Sequence, residues 1–202
     1  MKSRGCLIAA VILGAIAVVV LGVFMWGVGV NNRLVQLDEG VRSAWSQVEN
    51  QYQRRADLIP NLVETVKGYA NQEQDVFIGV AEARAKVSQM TVTKDVLNDP
   101  QAFAKFQSAQ DQLGSALSRL LVVSENYPQL KSNENFLSLQ TQLEGTENRI
   151  TVERKRFNDI VQSYNTTIRQ FPVSFIAGLR GFNEKPYFKA KEGAENAPQV
   201  KF

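Results

Sequence analysis

The stretch LVQLDEGVRSAWSQVENQYQRRADLIPNLVETVKGY, residues 34–69, decides the fold. Its apolar side chains return every seven positions at Leu34, Val41, Val48, Leu62 and Tyr69, with Trp45, Tyr52, Ile59 and Val66 interleaved. Spacings that alternate between three and four put all of them on one face of an α-helix, whereas a half-buried strand would need a period of two. The stripe continues through Val76, Val80, Ala83, Val87 and Met90, and polar residues interrupt it at Arg55 and Glu73.

Toward the C-terminus a second stripe of the same period runs Phe136, Leu143, Ile150, Phe157, Tyr164 and Phe171, with Leu139, Ile160 and Ile168 between and with Thr146 and Glu153 in slots that should face a core. Between the two stripes, Asp99-Pro100 predicts a helix start: the carboxylate caps free amides, and proline gives up only a donor that would go unused. Phe103, Phe106, Leu113, Leu117, Leu120 and Leu121 mark that helix's buried face, and Asn126-Tyr127-Pro128 ends it. Asn71 to Gln74 reads as an amide capping box that starts the second helix.

Toward the N-terminus, residues 7–30 contain no charge. As a helix this run spans about 36 Å at about 1.5 Å per residue, enough to cross a hydrocarbon core of about 30 Å. It is too long for the apolar region of a cleavable signal, so it reads as a retained anchor. Lys2 and Arg4 on one side are matched by Arg33 and Arg42 on the other, which leaves the positive-inside rule tied; the short charged tail favours an inside N-terminus and an exported domain. Cys6, the one cysteine, precedes the apolar run, whereas an acylated lipoprotein cysteine should follow it.

The anchor also constrains the topology. Asp57-Leu58-Ile59-Pro60 could start a new helix after a turn, or Pro60 could kink one long helix. A last helix of residues 132–171 is roughly 60 Å long and must return towards the bilayer, while a first helix ending near Arg55 would reach only about 37 Å from it. A first helix kinked at Pro60 and running from Asn31 to Tyr69 matches the length. The predicted fold is therefore all-α: a short tail (residues 1–6), a transmembrane helix (7–30), an antiparallel up-and-down four-helix bundle with long first and last helices (31–171), and a C-terminal tail (172–202). That tail keeps Val173, Phe175, Ile176, Leu179, Phe182, Tyr187 and Phe188, too apolar for free solvent. It is expected to pack on the bundle in preference to the membrane interface.

Aligning the long helices from their membrane ends brings Arg55 level with Glu147, and Glu49 level with Glu153. The expectation is a partly buried charged layer of Glu49, Arg55, Thr146, Glu147, Arg149 and Glu153 that fixes helix register, the best-attested use of polar groups at core positions. Its functional alternative is a ligand or partner site. At the far end, Val200 and Phe202 could present a C-terminal ligand of the kind an extended-peptide groove captures.

Charge and composition exclude several classes. The formal charge of +3 comes from the two ends, because residues 31–171 carry 16 basic and 17 acidic side chains. A near-neutral domain lacks the footprint for nucleic acid. With no histidine, and no cysteine beyond Cys6, the histidine-based nucleophile, zinc-protease and di-metal bundle chemistries are closed. No cofactor is expected.

The sequence resembles the LemA family over essentially its whole length. The resemblance is carried by residues 32–39, by AWSQVENQYQRRADLIPNLVETVKGYA (44–70), by SENYPQLKSN (124–133), by EGTENRITVERKRFNDIVQSYN (144–165), and by FP at 171–172 and GF at 181–182. It implies a transmembrane helix followed by an up-and-down four-helix bundle in a bacterial-type cell (inner) membrane. Where the family often carries histidine before Glu73, this chain has Gln72, which weakens a catalytic reading of that position. The resemblance implies no activity. The functional expectation is a single-pass, non-enzymatic scaffold whose partners are the lipid bilayer and either an unidentified protein or further copies of itself. The alternative is a sensor or ligand-binding bundle that signals through the anchor.

Overall fold

A computed structural model describes residues 2–90 and 96–190, the side chains of residues 2–10 excepted. Val200 and Phe202 lie outside the described residues. Among those described every regular element is helical: α1 (Lys2–Lys67), α2 (Gln74–Met90), α3 (Pro100–Val123), a 3-10 turn (Ser124–Asn126), α4 (Pro128–Lys131), α5 (Glu134–Arg169) and α6 (Val173–Arg180).

Helix α1 passes through Pro60 without interruption. Asp57, the expected cap of a new helix, instead accepts a hydrogen bond of 2.7 Å from Gln53 Nε2 within the same helix. Pro60 is exposed, so the amide it lacks falls on the wet side of α1. The N-terminal part of α1 is long and apolar enough to cross a membrane, and none of its most apolar window is buried.

The local signals for the other helices act where the side chains can reach. Asp99 caps α3, its carboxylate accepting from the Gln101 amide at 2.8 Å ahead of Pro100. Asn133 caps α5 through the Phe136 amide. The Asn71–Gln74 reading needs correction: the Glu73 carbonyl accepts from the Val76 and Phe77 amides, so α2 starts later than the capping box implies. The chain turns twice over residues 68–73 before it can enter the helix. The tail is also more ordered than expected, since residues 173–180 form a helix that ends on Gly181 at φ 75°, a left-handed conformation that glycine adopts without a Cβ clash.

The chain divides into two compact units, Met1–Arg42 with Gln162–Glu184, and Ser43–Val161 with Lys185–Phe202. In the first, Leu34, Val41, Tyr164, Ile168 and Ala177 are buried. The Tyr164 hydroxyl donates to the Asn183 carbonyl at 3.0 Å, and Arg180 Nε donates to Asn31 Oδ1 at 2.9 Å. In the second, Ile59, Leu62 and Val66 of α1 pack with Phe77, Val80 and Val87 of α2, Leu113, Leu117 and Leu120 of α3, Leu130 of α4, and Phe136 and Leu143 of α5. All but Phe77 and Leu130 are residues that the two stripes and the buried face after Asp99-Pro100 nominate. Two stripe members differ: Tyr69 is 41 % and Phe171 89 % exposed. Phe171 follows the end of α5, so the seven-residue period no longer carries it to a core.

Candidate functional site

The polar interruption in the α1 stripe is a buried arginine, 3 % exposed. Arg55 Nη1 meets Glu147 Oε1 of α5 at 2.9 Å, while Nη2 donates to the Gln110 carbonyl of α3 at 3.2 Å and to the Gln110 side-chain oxygen. One planar guanidinium thus ties three helices together, a geometry its fixed fork of donors suits and a lysine would not reproduce. The guanidinium also lies 5.1 Å from the Tyr52 ring centroid. Beside it, Asp111 of α3 approaches Arg154 of α5 at 3.8 Å.

The expected six-residue layer is narrower than the heptads imply. Glu49 and Arg149 are exposed and stand outside it, because on α1 and α5 they fall off the buried stripe. Thr146 is buried but donates to the Gln142 carbonyl of its own helix at 2.8 Å, so it spans no interface. Glu153 is half-buried, with Oε2 lacking a hydrogen-bond partner. In their place stand Gln110, Tyr52, Asp111 and Arg154. A signal for Gln110 was available: it occupies the slot between Phe106 and Leu113 in the three-four spacing of α3, and so interrupts that stripe as Arg55 interrupts its own.

Several polar atoms of this layer have no hydrogen-bond partner: Gln51 Oε1, Tyr52 Oη, Arg55 Nε, Gln110 Nε2 and Glu153 Oε2. Burial pushes the Tyr52 hydroxyl up to about 12, with Asp111 and Glu147 adding to the rise against the opposing Arg154 and Arg55. Burial and then Asp38 push Tyr164 of the other unit up to about 12 as well. Tyr52→Phe is expected to stabilise the folded chain by about 1 kcal/mol at neutral pH, because it removes a buried hydroxyl with nothing to bond. In the parent, an unfolded tyrosine releases its proton near 10 while Tyr52 and Tyr164 hold theirs to about 12. Their contribution is therefore complete below pH 10 and lost as pH rises from 10 to 12. Urea titrations across that range should show a shallower alkaline loss for Tyr52→Phe; an unchanged slope would count against a protonated, buried Tyr52.

Above the polar layer lies an aromatic pocket in the same unit. Trp45 packs against Phe103, Phe106, Phe157 and Phe188 with ring centroids 5.7, 5.3, 5.7 and 6.0 Å away. Phe188 arrives on a non-helical strap held by side-chain amides. Asn158 both donates to the Phe188 carbonyl and accepts from its amide, and Gln107 does the same with Lys189, at 2.9 to 3.1 Å. Arg154 adds a hydrogen bond of 3.1 Å to the Lys189 carbonyl and stacks 4.5 Å from the Phe188 ring. Lys185 Nζ donates to Asn98 Oδ1 at 2.7 Å. Part of the expected tail thus completes the core, on the burial preference of its aromatics.

Among the described residues no group of three or more histidine, cysteine, aspartate or glutamate side chains is placed to hold a metal ion. What the layer and pocket do chemically is bind helices and a strap of the same chain.

These features define a class: a helical protein whose first helix is suited to membrane anchoring and continues unbroken into a folded unit with a buried arginine layer. The model of the LemA family matches residues 44–202, and the chain belongs to that family. It is 27 % identical over 188 residues to magnetosome protein MamQ of Magnetospirillum gryphiswaldense, covering 84 % of this chain and 69 % of that protein. It is 26 % identical over 181 residues to magnetosome protein MamQ 2 of Paramagnetospirillum magneticum, covering 81 % and 66 %. Protein LemA of Metamycoplasma hominis is 24 % identical over 176 residues, covering 87 % and 76 %. The chain thus spans about two thirds of the length of the MamQ proteins it matches.

Proposed function

We propose that the protein is a non-enzymatic scaffold: a single-pass anchor in the cell (inner) membrane holds an antiparallel up-and-down four-helix bundle, on the extracytoplasmic side, where it binds a protein partner or further copies of itself. The observation that carries this reading is the continuity of α1, which enters the core of the Ser43–Val161 unit as the same helix that can cross a membrane.

Ile78 on α2, Val122 on α3 and Val152 on α5 are more than half exposed and offer apolar contact points on that unit. The test replaces each singly with cysteine in a Cys6→Ser chain, then treats intact cells with a membrane-impermeant maleimide that carries a photo-crosslinker. Modification followed by an adduct of fixed mass, from the partner or a second copy, is expected. Absence of modification at all three positions would refute the extracytoplasmic side. Modification without any adduct would refute the scaffold.

A sensor is the second reading, favoured by the unpartnered polar atoms of the buried layer and by an open groove of about 430 Å³ lined by Gly114, Leu143, Glu147 and Asn148. In it a small polar ligand entering beside Glu147 competes for Arg55. Glu147→Gln would then change the response to that ligand, and a chain whose cellular role is unaltered by that substitution would end the sensor reading.

A further inference from the structure

Helix α6 leaves its apolar side uncovered. Phe171, Phe175 and Leu179 follow one another at four-residue spacing and are 89, 70 and 72 % exposed. Ala177 faces inward, as does Ile176, whose Cδ1 would lie 3.8 Å from a Cβ placed on Gly27 of α1. Four residues further along each helix, Arg180 Nε reaches Asn31 Oδ1 at 2.9 Å. Equal steps of four on both helices mean that α6 runs beside α1 in the same direction. Its residues can therefore be read against the anchor's scale.

On that scale Arg180 stands level with Asn31, the first residue beyond the uncharged run of residues 7–30, and Ile176 stands level with Gly27, about a turn inside it. Phe175 lies one position on the N-terminal side of Ile176, level with Trp26 and so five positions inside Asn31, roughly 7 Å at about 1.5 Å per residue, and Phe171 precedes α6 in the turn at that deeper end. The stretch of α1 beside them, Leu21 to Met25, has exposed apolar side chains of its own. Two neighbouring elements thus present apolar surface at one level, with a hydrogen-bonded Arg–Asn pair at its polar edge.

We propose that the turn between α5 and α6, which carries Phe171, and the Phe175 and Leu179 face of α6 form a membrane-interface element that inserts into the lipid headgroup and acyl boundary beside the anchor. Aromatic rings are favoured at that boundary, and an amphipathic helix buries its apolar face there by about 5–10 Å, the depth the α1 scale gives. The partner is a lipid surface, not a protein groove, because the surface is continuous with a helix suited to span the bilayer. The element would fix the tilt and rotation of α1, which a single apolar helix leaves open. The rest of the tail packs on the helices, through Ala177, Asn183 and the strap that carries Phe188.

The proposal rests on the membrane reading of α1, and one measurement separates the two. The full chain with Cys6→Ser carries a nitroxide on a single cysteine, at Phe175→Cys, Leu179→Cys, Val19→Cys in the anchor or Glu39→Cys beyond it, in vesicles of phosphatidylcholine and phosphatidylglycerol. Accessibility is read with oxygen, which concentrates in lipid, and with a water-soluble nickel chelate. The expected result is an oxygen-to-nickel ratio at 175 and 179 several-fold above that at 39 and on the side of 19. A ratio at 175 and 179 equal to that at 39, with 19 in lipid, overturns the proposal and leaves the anchor standing. Protection from both reagents at 175 and 179 also overturns it, since a second copy of the chain would then cover the face. A water-like ratio at 19 overturns the membrane reading itself.

Discussion

Replacing Trp45 with alanine is expected to cost the folded chain about 4 kcal/mol, the upper range for losing a large buried aromatic. The magnitude follows from position: Trp45 is the hub on which Phe103, Phe106, Phe157 and Phe188 converge, from α3, α5 and the strap. Alanine leaves a void that rings from three other segments must close together, and close-packed interiors relax only in part. Phe188→Ala should lose less. Its neighbours keep one another, and the strap retains the amide pairs of Asn158 and Gln107. Urea unfolding of the full chain in detergent micelles ranks the two, and amide exchange at residues 185–190 locates the second. Equal losses would mean that the strap, not the tryptophan, closes the pocket.

Arg55→Ala is expected to cost about 3 kcal/mol, for a different reason. Truncation strips the donor from the buried Gln110 side-chain oxygen, an unmet acceptor that costs about 1–3 kcal/mol, whereas the Gln110 carbonyl keeps its partner within α3. Glu147 adds little, because its side chain is 42 % exposed and can turn to water. The charge itself contributes less to stability than the loss suggests, since burying a guanidinium offsets much of what its partners return. Arg55→Met combined with Gln110→Leu, which also removes the unmet acceptor, should therefore recover most of the loss while forfeiting the contacts that tell one helix register from another. Its unfolding transition is expected to be broader than the parent's at similar midpoint, as a chain with competing registers would show. An Arg55→Ala chain within about 0.5 kcal/mol of the parent would remove the layer from any account of this fold.

Proximity of Arg55 and Glu147 was legible from two heptads counted from a common membrane end, although they are 92 residues apart. Glu49 and Arg149 were misplaced by the same count, because matching heights says nothing about which way a side chain faces. Gln110 was overlooked for being uncharged, yet its slot in the α3 spacing shows that any polar residue, ionised or not, marks a buried interface when it breaks an apolar stripe. The aromatics of the strap signalled burial but not where. Asn158 and Gln107 are ordinary surface amides in sequence, and their pairing with Phe188 and Lys189 exists only once α3 and α5 stand side by side.

Sequence by itself determined what depends on neighbours within a few turns: the helical periods, the Asp99 cap, and an uncharged run long enough to cross a bilayer. Tertiary structure alone decided which interruptions are buried, that a tail rich in glycine and proline yields one helix and one clamped strap, and that α6 lies along the end of the anchor. The reason is physical. Period and capping are local energies repeated along a chain, whereas Arg180 finds Asn31 across 149 residues only after folding has brought both to one place.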